Sequence, residues 1–176
     1  MSKDLPPVFW RPCDAVMRAR LGTIQRISIF AQFMGLQFMR TPAVASKAIL
    51  ELREVPGFDP DAAWGLIRTI FATNIGKSIF IERKHTKLSF VEAESWAEFV
   101  TGDQPVINLG KTERLQLLYP LCPTRALLLS IDQPSASVES RKITSDDVRR
   151  YNALMRGAAM QHVYAASEAT LIQLFA

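Results

Sequence analysis

The sequence predicts an α+β domain in which an N-terminal helical layer packs on a C-terminal antiparallel β-meander, with one late helix. Three observations carry this. Up to about residue 84, apolar residues recur at three- and four-residue steps, the spacing of one helix face. From Lys87 onward the pattern changes to short β-rich runs separated by turn residues. Then Thr144-Ser-Asp-Asp147 sets a hydroxyl at a helix N-cap and an acid three residues on.

Taken in order, Pro6, Pro7 and Pro12 around Val8-Phe9-Trp10 predict an extended arm over residues 1 to 13. Residues 14 to 84 read as mainly helical. Val16, Met17, Leu21, Ile24, Ile27, Phe30, Ala31, Met34 and Phe38 line one helix face as far as Arg40. Pro42 disfavours helical geometry at Thr41, and residues 43 to 53 form a second amphipathic stretch, giving a helical hairpin. Pro56-Gly57-Phe58 breaks the pattern, and Asp59-Pro60-Asp61 supplies an N-cap, a first-position proline and a first-turn acid. The helix that follows is expected to run to about Arg83, with Trp64, Ile67, Phe71 and Ile75 inward. Residues 85 to 132 read as mainly strands: 87 to 94, 98 to 101, 105 to 109, 114 to 119 and 125 to 132. The segment 126 to 131 is apolar on both faces, which predicts a central, covered strand. Residues 133 to 141 read as a polar surface loop, 144 to 164 as a helix, and the apolar tail 167 to 175 as docked on the core. No second domain boundary or repeat appears, so residues 1 to 176 form a single domain.

Composition narrows the classes. A chain of 176 residues with 48% hydrophobic and 22% charged residues can bury a core of its own. Cys13 and Cys122 belong to no Cys-x-x-Cys pair and have no histidine at metal-ligand spacing, which predicts two buried reduced thiols. Without a signal-peptide core or an apolar run long enough to span a bilayer, a cytoplasmic protein without membrane attachment is expected. The net charge of +4 is uneven, with 13 basic against 7 acidic residues up to position 88 and 8 against 10 after it. The basic residues are scattered singly, which favours a protein partner over nucleic acid.

Phosphate-loop, dinucleotide, zinc-protease and nucleophile-elbow patterns are absent, and two histidines, His85 and His162, leave little for a triad or a multi-histidine metal site. Three places can carry chemistry. In Thr101-Gly102-Asp103-Gln104-Pro105 a strand ends in a glycine-permitted turn that puts a carboxylate at its mouth. Asp103 there is the candidate catalytic residue, as metal ligand or general base, against an Asx-turn in which it binds neighbouring amides. Gln37 and Arg40, three apart near a helix end and beside Thr41, form a candidate binding group in which the arginine grips an anion, caps the helix or pairs with Asp103. Asn152, on the last helix, must be satisfied if buried, and a loop backbone is its usual partner.

Gln37-Phe-Met-Arg40-Thr-Pro42, Phe99-Val-Thr-Gly-Asp103-Gln-Pro105-Val, Tyr119-Pro-Leu-Cys-Pro123, Tyr151-Asn152 and His162-Val-Tyr164 resemble, in order and spacing over roughly residues 20 to 165, the bacterial domain of unknown function 4238. Its motifs run Gln-x-x-Arg-Thr-Pro, Phe-Ile-Thr-Ser-Asp-x-Pro-Val and Pro-Leu-Ser-Pro, followed by a late Asn. The chain departs from the family at Gly102 and Cys122, each in place of serine. It also lacks the opening His-x-Val-Pro-x-x-Tyr-Leu segment, as a member shortened at the N-terminus would. The resemblance implies the fold and the polar cluster and no particular reaction. The leading expectation is a small binding or protein-interaction domain, of the kind used in bacterial or phage conflict. The alternatives are a metal-dependent hydrolase or nuclease built on Asp103, and a nucleic-acid-binding module. No cofactor is predicted; the hydrolase alone would place a divalent metal at Asp103. The sequence does not define the oligomeric state.

Overall fold

A computed structural model of the chain describes residues 24–94, 96–110, 115–131 and 133–176. The expected arm over residues 1 to 13, the helix start at Asp14 and Cys13 lie outside the described residues. Among the described residues, three helices come first: α1 Ile24–Met39, α2 Pro42–Leu52 and α3 Pro60–Ile81, the last running into a 3₁₀ turn Glu82–His85. The predicted cap of α3 is present, Asp59 accepting from the amides of Asp61 and Ala62 with Pro60 at the first helical position. Gly57 takes a positive φ of 76° in the turn before it. The helical hairpin is not α1 with α2 as expected, because α1 packs mainly on α3. Small residues permit this. Gly35 lies so close to the Ala72 carbonyl that a Cβ would collide with it, and a Cβ on Gly76 would meet Gln32 Cα at 2.9 Å. The fully buried residues of the inner face of α3 are therefore Ala72, Gly76 and Ile79; of the four expected inward, Ile75 packs half-buried against the core, Trp64 and Ile67 are half-buried, and Phe71 is exposed.

Strands β1 Lys87–Ala93, β3 Ile107–Asn108, β4 Gln116–Cys122, β5 Arg125–Ser130 and β6 Ser137–Ile143 form one sheet in the order β3-β4-β5-β1-β6. The sheet is mostly antiparallel, as predicted. One pairing, β1 with β6, is parallel and has Val91 level with Arg141. The expected surface loop over 133 to 141 is thus half strand: β6 is an edge strand whose residues are exposed except for half-buried Glu139 and buried Ile143, so it lacks the apolar alternation that marks a strand. β5 is the covered central strand that its double-sided apolarity predicts. Leu127 and Leu129 face the α1–α3 layer with Met34 and Ile79, whereas Ala126 and Leu128 face the opposite cluster with Val148, Tyr151 and Met155.

That second cluster is covered by α4 Ser145–Ala158 and by the loop between β1 and β3. Thr144 caps α4 by accepting from the Asp147 amide. The helix ends at Ala158, short of the expected Tyr164. Past it, β7 Val163–Tyr164 pairs with β2 Thr101–Gly102 in a separate two-stranded ladder, and α5 Glu168–Phe175 closes the described chain. The tail docks less deeply than its apolarity suggests, for α5 buries no residue fully.

Candidate functional site

The segment from Glu98 to Val106 crosses the α4 face of the sheet largely without ladder partners, so its backbone groups need others. Asn152 supplies two. Buried on α4, it accepts from the Val100 amide at 3.0 Å and donates to the Glu98 carbonyl at 2.8 Å, acting toward the loop as a neighbouring strand would. The Glu98 side chain extends the connection to α5, accepting from the hydroxyls of Ser167 at 2.7 Å and Thr170 at 2.9 Å. The Phe99 amide donates to the Pro123 carbonyl at 2.7 Å, which ties the loop to the β4–β5 turn.

Asp103 holds the other end. Its carboxylate accepts from three successive amides, Met160 at 3.0 Å, Gln161 at 2.7 Å and His162 at 3.3 Å, and its own amide donates to the His162 carbonyl at 3.1 Å. Burial alone would raise the carboxyl's pKa; the amides of Gln161, Met160 and His162, helped by the His162 ring, outweigh it and hold the group below the ordinary carboxylate range. This is not the Asx-turn weighed from the sequence, since the amides belong to a loop nearly 60 residues away. Gly102 allows the approach: a Cβ there would come within 3.0 Å of the His162 carbonyl oxygen and 3.1 Å of the Ala159 Cβ.

The Gln37–Thr41 group meets this segment through one residue only. Thr41, buried at the α1–α2 corner, directs its one hydroxyl proton at the Gln104 side-chain carbonyl, with Phe38 O the alternative acceptor at 3.3 Å. Gln104 in turn donates to the Val106 carbonyl at 2.7 Å. Arg40 is exposed and Gln37 half-buried, and neither side chain bonds to another described residue, so the pairing of Arg40 with Asp103 does not form. Among the described residues, no group of three or more His, Cys, Asp or Glu side chains could hold a metal ion.

What the clamps hold in place is a cleft. Phe99 and Thr101 on one side, Pro120 to Pro123 on another and Tyr164 to Ala166 on a third enclose about 420 Å³. Its position follows from two irregularities, the register shift between Pro120 and Cys122 at the end of β4 and the short β2–β7 ladder in which Thr101 faces Tyr164. Cys122, expected to be buried, is half-buried in this wall with its Sγ 3.6 Å from the Thr124 hydroxyl. Sequence reasoning passed over Glu98, Gln104, Ser167 and Thr170. Gln104 alone offered a signal, as a polar side chain inside an otherwise apolar motif.

An α+β domain whose loops are fastened by carboxylate and amide side chains around an apolar cleft is the class that fold and site define. The chain belongs to the family described as protein of unknown function (DUF4238), whose profile matches residues 68–169. That span contains the Asp103 clamp, Asn152 and the whole cleft, while Gln37, Arg40 and Thr41 fall before it. No curated protein and no solved structure matches the chain. Among the described residues, no helix is long and apolar enough to cross a membrane.

Proposed function

We propose that this protein is a small binding domain, that its polar cluster is the framework of the site, and that its ligand-facing surface is the cleft between Phe99, Pro120–Pro123 and Tyr164. The engagement of Asp103 carries this reading. A general base or metal ligand must offer a lone pair to the reacting proton or ion, and both Asp103 oxygens are turned onto backbone amides that also lower its basicity. Asn152 and Thr41 are likewise spent on backbone and side-chain partners within the fold. Arg40, the anion clamp of the hydrolase alternative, bonds to none of them.

The cleft has the size and apolar lining of small-ligand or peptide side-chain pockets. A protein or peptide partner suits it better than nucleic acid, because no basic residue lines it. The reading is tested by a thermal-melting scan with Mg²⁺, Mn²⁺ and Zn²⁺ and by phosphodiesterase and esterase assays of the wild type and Asp103→Asn. The expected result is a lower Tm for the variant, no metal-dependent stabilisation and no turnover. Metal stabilisation abolished by Asp103→Asn, or turnover lost in a folded variant, would overturn it. A peptide panel titrated into isotopically labelled protein should shift the resonances of Thr101, Cys122 and Tyr164 first.

A further inference from the structure

Helix α3 carries two stripes, and only one is used inside the described fold. Ala72, Gly76 and Ile79 pack inward, whereas Ala63, Leu66, Ile70, Thr73 and Lys77 follow one another at steps of three, four, three and four residues along an outer side, with the N-cap Asp59 four residues before Ala63. That is the spacing of a seam that packs against another helix. All but half-buried Ala63 are exposed, Leu66 at 68% and Ile70 at 47%. A helix apolar on opposite sides is expected to be covered on both.

The seam reads as its own complement. Turned end for end about a point between Leu66 and Ile70, Leu66 falls opposite Ile70, Ala63 opposite Thr73 and Asp59 opposite Lys77. Large apolar residues meet at the two-fold axis, small ones flank them, and acid meets base at the ends. Asp59 is equipped for this: Oδ1 accepts both capping amides, which leaves Oδ2 to a partner. We propose that two copies of this chain associate through α3, antiparallel across a two-fold axis between Leu66 and Ile70, as an isologous interface requires. The surface is separate from the cleft, so either assignment can fail without the other.

Sedimentation equilibrium up to about 100 µM should show a dimer that Leu66→Glu together with Ile70→Glu converts to a folded monomer. Lys77→Asp, which sets acid against acid, should weaken it about five- to tenfold. The register has its own readout. In a Cys13→Ser, Cys122→Ser background under a mild oxidant, Ala63→Cys with Thr73→Cys should cross-link between copies. Ala63→Cys alone should not, since two copies of that residue lie about 15 Å apart along the axis. A monomeric wild type overturns the proposal. A dimer indifferent to the glutamates, or single-cysteine cross-linking as fast as the pair, overturns it equally.

Discussion

The two faces of the central sheet are covered in different ways. On one, α1 and α3 close over Leu88, Leu117, Leu127 and Leu129 by bringing backbones together at Gly35 and Gly76. On the other, α4 covers Val91, Leu118 and Leu128, and beside it an irregular loop is fixed by Asn152, Asp103 and Glu98, each through hydrogen bonds to a distant segment. Steric fit excludes alternatives by collision, and tolerates no added volume. Polar clamps specify position by direction, and fail one bond at a time. An irregular loop that ends in a two-residue ladder can therefore line a cleft on the second face.

The largest effect should come from adding volume on the first face. Gly35→Ala puts a methyl into the Ala72 carbonyl, against rigid backbone, and should destabilise by about 3 kcal/mol or more in urea denaturation. If it costs less than about 1 kcal/mol, the helices are free to slide apart and the contrast between the faces fails. Next comes Asn152→Ala, which strands the Val100 amide and the Glu98 carbonyl beneath α4. Two unmet backbone groups should cost about 2 to 4 kcal/mol, and hydrogen exchange should rise first over residues 98–102.

These two residues also show how the sequence discloses the molecule. Apolar periodicity located α1, the Asp59-Pro60-Asp61 start signal located α3, and double-sided apolarity located β5, because capping and burial leave their traces in residue type. The packing of α1 on α3 and not on α2 was hidden, since glycine reads as tolerance in sequence and as contact only when a second helix is in place. Strand β6 was hidden because a parallel edge strand flanked by solvent needs no apolar face. At the site, Asn152 and Asp103 were legible as groups needing partners. Asn152 found the loop backbone expected of it, but which amides Asp103 would find was not legible, because the 160–162 loop has no side-chain pattern that marks it as a donor.

A smaller effect is expected at Asp103. Asp103→Asn keeps the shape and removes the charge, weakening three amide contacts for a cost of about 1 to 2 kcal/mol. The pH dependence has a defined sign. Because the folded carboxyl titrates below its unfolded value, its stabilisation is complete above an unfolded pKa of about 3.9 and drains as pH falls through the folded value. Wild type minus variant stability should therefore be flat from neutral pH to about pH 5 and shrink below about pH 4. A difference that grows on acidification would mean that the carboxyl is held protonated.

The least costly change should be Glu98→Gln, and it tests whether the polar clamps act one at a time. Both hydroxyls donate to the same carboxylate oxygen, a place the glutamine carbonyl can take, so α5 keeps its anchorage without the charge, while the Asn152 bond to the Glu98 backbone is untouched. Global stability should change by less than about 1 kcal/mol, because α5 buries no residue fully and contributes little to the core. The amides of residues 168–175 should nonetheless exchange faster, with those of 98–102 unaltered. If both segments loosen together, the Glu98 side chain supports the loop as well as the helix, and the clamps form one cooperative network in which α5 takes part in shaping the cleft.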